Sequence, residues 1–380
     1  MKIQIEAKLL EDLVGTVAQA IGSRPVRQEN ECVFIEVHSD SGTPIMTAFA
    51  SDNGTAIRKV TDRITAIEDG CALIPAKQMM AFVKLMDGDV TMTVDDHFKC
   101  TLKCGAKKVS ITCMDSCDYN ADFVDMREPN TVRMDGDDFG KAVDSTLHCV
   151  STDQGRMILT GVNFAFDAVR GICEASCMDG FRLAKLTVPA ETNESFDITI
   201  PEAKAKLVSK LIKGGENVSF RVGSGVLVAD NYDVTIGVSL LADGKYPDVN
   251  ALIESKGHGK MHAKVNAEEL LDATKLAMIA AEDAQKGLIV LNFAGEDAMQ
   301  VYARSDNSDA ASEVYCMRNG QMETGTEIAF NGKYILEALK AVLDFSEEIE
   351  ITANTPSSPL VILPVNRDDF YQLALPVRRM

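Results

Sequence analysis

Apolar residues along this chain fall into matched sets of alternating and helical spacing. Ile3 and Ile5 alternate with polar neighbours, and Leu10, Leu13, Val14, Val17 and Ile21 then recur three and four apart. The first spacing predicts a half-buried strand and the second an amphipathic helix. The pattern returns at Val132 and Met134 with Phe139, Ala142, Val143, Thr146 and Val150. It returns again at Ala263 and Val265 with Leu270, Ala273, Thr274, Ala277 and Ala281. Lys2, Thr131 and His262 open the three copies, so the spacings are 129 and 131 residues.

A second strand and helix recur inside each third. Residues 72–75 lead to Met79, Met80, Phe82, Val83 and Met86. Residues 197–201 lead to Leu207, Val208, Leu211 and Ile212, and residues 327–331 to Ile335, Leu336, Leu339 and Val342. Pro75, Pro201 and Asn331 mark the switch, 126 and 130 residues apart. Proline is expected at the first helical position, where its missing N–H would be unpaired anyway. Strand-like runs follow at 90–94, 218–222 and 348–352, and Gly223-Ser224-Gly225 reads as a hairpin turn. A period this long is the size of a domain rather than of a solenoid repeat. The expected class is α+β: three similar domains, 1–129, 130–258 and 259–380, each of two helix-on-antiparallel-sheet units.

Composition narrows the function. Of the 380 residues, 46% are apolar and 25% charged, which excludes a disordered or collagen-like chain. No apolar run reaches the 18 residues of a spanning helix. Met1 to Glu6 lacks the continuous apolar stretch of a signal peptide, so a cytoplasmic protein with no membrane partner is expected. The net charge is −19, so bulk electrostatics does not hold this chain on nucleic acid. Lysines nevertheless concentrate on the second helices: Lys77 and Lys84; Lys204, Lys206, Lys210 and Lys213 against Glu202; Lys333 and Lys340 against Glu337. The first helices are acidic, through Asp137, Asp138, Asp144, Glu268, Glu269 and Asp272.

Three cysteine pairs share a C-x-x-x-C spacing: Cys100/Cys104, Cys113/Cys117 and Cys173/Cys177. Residues four apart on a strand lie roughly 13 Å apart, whereas zinc ligands need a tight turn between them. Buried free thiols are expected, with no metal and no cofactor. His38, His97, His148, His258 and His262 form no H-E-x-x-H or nucleophile–base spacing, and no phosphate-cradling glycine loop is present. No catalytic residues are expected.

The order of four further motifs on this repeat resembles the beta-subunit family of bacterial DNA polymerase III, the replicative sliding clamps, over the whole chain. They are Met178-Asp179-Gly180-Phe181-Arg182-Leu183-Ala184, Ala242-Asp243-Gly244-Lys245-Tyr246-Pro247-Asp248, Phe330-Asn331-Gly332-Lys333-Tyr334-Ile335-Leu336 and the terminal run from Tyr371 to Arg378, with Arg24-Pro25 near the start. The resemblance implies three clamp domains and a head-to-tail homodimer that closes a ring round double-stranded DNA. Such a ring is retained by topology, so weak phosphate contacts suffice and an acidic chain is no obstacle. It implies a processivity subunit, not an enzyme. The partners implied are the polymerase III catalytic subunit, clamp-loader subunits, repair polymerases and mismatch-repair proteins.

Position by position, the resemblance implies a pocket for short apolar peptides at Leu159, Gly180, Arg182, Leu183, Pro247, Leu252, Ser358, Leu373, Pro376, Val377 and Arg378. It implies DNA contacts at Arg24, Gln154, Arg156 and Lys286, to which the lysine face of the helix after Pro201 adds Lys206 and Lys210, and a dimer contact between residues 108–114 and the helix end near Ile279. Phe181 stands where the family often has histidine, and Val377 where methionine is commoner. Two other readings compete: a monomeric peptide-binding scaffold of the same fold that does not encircle DNA, and a metalloenzyme built on the cysteine pairs.

Overall fold

A computed structural model describes the chain except residues 23, 24, 26, 40, 41, 117, 118, 243, 257, 258, 260, 283–286, 294–296, 321–324, 379 and 380. Its helices are α1 (Ala7–Val17), α2 (Ala76–Val83), α3 (Gly136–Thr146), α4 (Glu202–Ile212), α5 (Val249–Lys256), α6 (Ala267–Glu282) and α7 (Gly332–Leu343). Residues 1–137 with 207–240 form one compact unit, and residues 138–206 with 241–380 form another.

In the first unit α1 follows the strand Lys2–Glu6 without a loop, and Ala7 donates its N–H to the Gly88 carbonyl at 2.9 Å. Of the predicted apolar stripe, Ile21 lies beyond the helix end and is half-buried, while Leu10, Leu13, Val14 and Val17 are fully buried. Each such side chain contributes roughly 1.5–3 kcal/mol. Lys2–Glu6 lies in a five-stranded antiparallel sheet between Thr65–Glu68 and Asp89–Val94, followed by Lys99–Cys104 and the edge strand Lys107–Thr112. A larger antiparallel sheet runs in the order Asn130–Met134, Val218–Gly223, Val226–Asn231, Val234–Ser239, Thr55–Thr61, Ile45–Asp52, Cys32–His38, Gly70–Pro75. Val234 pairs with Lys59 and Val238 with Thr55, so the first and second sequence thirds share this sheet. The turn at Ser224 (φ 52°) and Gly225 (φ 74°) is the hairpin the sequence predicts. Residues 119–126 lie across one sheet face, with Tyr119 stacked on Phe34 at 5.5 Å and Phe123 edge-on to Phe49 at 5.8 Å.

The second unit holds one twelve-stranded antiparallel sheet. Its order is Phe196–Pro201, Gly161–Asp167, Ile172–Met178, Arg182–Pro189, Phe370–Ala374, Leu360–Pro364, Glu348–Ala353, Met261–Asn266, Asp309–Gly320, Ala298–Arg304, Leu288–Phe293, Thr326–Asn331. Strand Arg182–Pro189 pairs with Phe370–Ala374, joining the second and third sequence thirds. Helices α6 and α7 bury Leu270, Ala273, Thr274, Ala277 and Ala281, and Ile335, Leu339 and Val342. Their approach is close at Gly332, where a Cβ would come within 2.2 Å of the Met278 sulfur and 2.8 Å of Ile289 Cγ2, so a larger residue would have to displace both side chains.

One local expectation is corrected. Pro75 and Pro201 close their strands and precede α2 and α4, rather than occupying the first helical position. Pro75 has φ −54° and ψ 113°, so ψ there is still that of extended chain. Asn331 holds the equivalent place before α7, where its side chain accepts the Lys333 N–H at 3.1 Å. Among the described residues no helix is long and apolar enough to cross a membrane.

Candidate functional site

The site grows from the hairpin turn that joins Ile172–Met178 to Arg182–Pro189. Asp179 shapes it: Oδ1 accepts the backbone N–H groups of Phe181 (2.8 Å) and Arg182 (3.0 Å). Gly180 takes φ +94°, a left-handed conformation that favours glycine, and a Cβ there would lie 3.1 Å from Arg156 Nη1. Phe181 is pushed outward, 58% exposed, while its carbonyl accepts the Leu375 N–H at 2.8 Å.

Arg182 then pins the turn to α7. Its Nε reaches Asp179 Oδ2 at 3.0 Å, its Nη1 bonds Glu337 Oε2, and its guanidinium lies 4.3 Å from the Tyr334 ring centroid. Only 11% of the Arg182 side chain is exposed. A planar fork serves two carboxylates and an aromatic face at once, which a lysine could not. Two of the sequence motifs are thereby one structure, because Asp179 and Arg182 come from the first and Tyr334 from the third.

Beside this turn lies a cavity of about 120 Å³, lined by Met178, Gly180, Phe181, Arg182, Leu183, Leu252, Ile253, Leu373 and Leu375. Beneath it a core cluster gathers Leu159, Leu183, Tyr246, Val249, Val361 and Tyr371. This volume is below the several hundred Å³ of a small-molecule pocket and suits an apolar side chain or two of a longer ligand. Helix α5 supplies one wall, and Asp248 caps it by accepting the Ala251 N–H at 3.0 Å.

Of the residues proposed for peptide binding, Gly180, Arg182, Leu183, Leu252 and Leu373 line the cavity. Leu159 is buried in the cluster below. Pro247, Ser358, Pro376, Val377 and Arg378 do not line it: Pro247 is exposed, and Ser358 sits in a turn with its hydroxyl 2.8 Å from that of Thr355. Val377 is tied back by its N–H to the Ala329 carbonyl at 2.8 Å. Met178, Phe181, Ile253 and Leu375 line the cavity and were missing from that set. Leu375 lies two residues beyond Leu373 and Ile253 one beyond Leu252, so strand alternation and helix neighbourhood carried the signal.

Arg24 and Lys286 lie outside the described residues. Lys206 is paired with Glu202 at 2.6 Å, and Lys210 donates to the Gln19 side chain at 2.6 Å. Both lysines are exposed along α4, on the side away from buried Ala205, Val208 and Ile212. Gln154 is exposed at the start of a 3₁₀ turn (Gln154–Thr160), where the Asp153 carboxylate accepts the Gly155 N–H. Arg156 pairs with Asp153 at 3.0 Å and donates to the Asp179 carbonyl at 3.1 Å, with 49% of its side chain exposed.

Cys100 and Cys104 are buried along one strand, as are Cys173 and Cys177 along another, and Cys117 lies outside the described residues. Burial pushes the Cys32 thiol up to about 11 and that of Cys177 up to about 12, so both stay protonated at neutral pH. Among the described residues no group of three or more His, Cys, Asp or Glu is placed to hold a metal ion.

His148 lies below Arg182. Burial, with repulsion from Arg182 added, pushes its imidazole down to about 4 from 6.5. The unfolded chain therefore takes up this proton first as pH falls. The stability is present above pH 6.5 and is lost between pH 6.5 and 4, by about 3 kcal/mol. Urea titrations across that window will show this slope, and His148→Gln will flatten it. An unchanged slope in the variant would assign the acid sensitivity elsewhere.

Comparisons with known proteins converge. Residues 133–248 match the family model of the DNA polymerase III beta subunit, central domain, and residues 257–378 match the model of its C-terminal domain. Beta sliding clamps from Halalkalibacterium halodurans and Bacillus subtilis are each 26% identical, with all of both chains covered. The solved DNA polymerase sliding clamp of Bacillus subtilis superposes with a TM-score of 0.90 at 23% identity, and the polymerase beta subunit of Streptococcus pyogenes with 0.90 at 19%, each covering 100% of both chains. The two beta-subunit models span most of the chain, and the repeated α+β fold agrees with the solved clamps: this chain belongs to the DNA polymerase III beta subunit family, the beta sliding clamps.

Proposed function

We propose that the chain is a DNA sliding clamp. Three domains, 1–129, 130–258 and 259–380, form a head-to-tail homodimer that encircles duplex DNA in the cytoplasm and confers processivity without a catalytic site of its own. The observation that carries this reading is the recurring helix-on-sheet unit, in which α1, α2, α4, α6 and α7 each follow directly on a strand and α3 follows after one residue. Units repeated by rotation close a ring once one terminal unit meets another. Two surfaces support closure. Lys107–Thr112 is the edge of its sheet, with unpaired backbone groups along one side. On α6, Leu276 and Ile279 stand 45% and 71% exposed. Gln154, Arg156, Lys206 and Lys210 supply polar contacts to the phosphates.

The cavity beside Phe181 takes the apolar anchors of a short peptide carried by the polymerase, by the clamp loader, and by repair polymerases and mismatch-repair proteins. Its apolar walls bury the anchors, and Arg182 with the Asp179 turn holds the mouth in shape.

Retention on DNA tests the ring. Clamp loaded on a nicked circular plasmid is expected to stay bound through gel filtration in 0.5 M salt (roughly the condition that strips phosphate contacts), and to be lost once a restriction enzyme linearises the circle. Loss from circle and linear DNA alike would refute encirclement and favour the monomeric scaffold.

A further inference from the structure

We propose that Asn250 is a positioning residue that latches α5 against the sheet and so sets the wall of the peptide cavity; this rests on the reading of that cavity as a peptide site. Helix α5 has eight residues and lies outside the strand ladders. An isolated helix of that length is marginal in water, so its place depends on its anchors. Val249 supplies an apolar one, buried in the cluster below the cavity. The polar one is Asn250. Its Oδ1 accepts from Lys185 Nζ at 2.8 Å, and its Nδ2 donates to Glu174 Oε2 at 2.8 Å. Lys185 Nζ and Glu174 Oε1 lie 3.4 Å apart, which closes the triangle.

The two charged members are built into the sheet. Glu174 is on Ile172–Met178, opposite Thr187, and Lys185 is on Arg182–Pro189, opposite Ser176; they stand diagonally, two positions out of direct register, so both side chains rise on one face. Glu174 is 8% exposed overall, and the Lys185 side chain 14%. Glu174, also 3.5 Å from Arg170 Nη1, is buried and Lys185 half-buried, so an acceptor and a donor fixed in the sheet meet the two ends of the exposed Asn250 amide and define its position. The amide sits two and three residues before Leu252 and Ile253, which form the cavity wall. Asn250 touches no cavity atom itself and acts through those two side chains.

The test uses the full chain and a fluorescein-labelled peptide with leucine and phenylalanine anchors. Asn250→Ala is expected to weaken peptide binding about tenfold in fluorescence anisotropy, and to speed hydrogen exchange at the amides of residues 251–255 about tenfold. The strands Ile172–Met178 and Arg182–Pro189 should keep their protection. Glu174→Gln retains an acceptor for the Asn250 amide and is expected to bind within about twofold of the parent. Equal binding by Asn250→Ala, or faster exchange spread evenly over helix and strands, overturns the latch. If the parent protein binds no peptide, the cavity reading fails first, and the exchange pattern still decides whether Asn250 holds the helix.

Discussion

Removing residues 375–380 is expected to abolish peptide binding, raising Kd more than about a hundredfold in fluorescence anisotropy while the thermal midpoint and the assembly mass stay unchanged. Leu375 is a cavity wall, and its N–H to the Phe181 carbonyl fixes the rim residue opposite. Leu375 is half-buried in the free chain, and losing the contact of about 2 kcal/mol it makes when a peptide covers it removes an order of magnitude and more. Freeing Phe181 removes a second contact. The core loses little, because Phe370–Ala374 remains paired in the sheet and Pro376 to Arg378 fill no buried cluster. Normal binding by the shortened chain would refute the pocket.

The second large effect falls on stability. Arg182→Met is expected to cost about 3 kcal/mol, at the lower end for one side of a buried ion pair, because Glu337 keeps 28% of its side chain in water. For a unit of this size the thermal midpoint should fall by about 6–12 °C. Methionine keeps the stem but leaves Asp179 and Glu337 without their shared cation, and Tyr334 without the guanidinium over its ring. The turn at Gly180 should then relax and peptide affinity fall with it. A midpoint within about 2 °C of the parent would show that the turn is held by Asp179 alone.

What the sequence makes legible follows from how local each cause is. One-sided burial leaves a spacing, so the apolar stripes of α1, α3 and α6 are readable from Leu10 to Ala281. The hairpin turn at Gly225 and the strand-to-helix switch at Asn331 are local too. Helix α5 escapes notice because eight residues give barely two turns of pattern, and its start signal, Asp248, hides in a motif read for Tyr246 and Pro247. Pairing between Val234–Ser239 and Thr55–Thr61 joins residues far apart in the chain and leaves no mark in either segment. The same holds for Glu337: on its own helix it reads as one acid among lysines, and only the fold brings it to Arg182. Arg156 is another such case: its hydrogen bond to the Asp179 carbonyl, 23 residues on, leaves no mark in the sequence around it.

Shared strand ladders also constrain how such a chain can be taken apart. A fragment cut at residues 130 and 258 would keep Val234–Ser239 without Thr55–Thr61, and Arg182–Pro189 without Phe370–Ala374. Both bare flanks would offer their amides and carbonyls to any passing strand, which is a recipe for aggregation. Cut free of its neighbours, the middle repeat is therefore expected to aggregate, because its outer strands complete their ladders only with segments from the other two thirds.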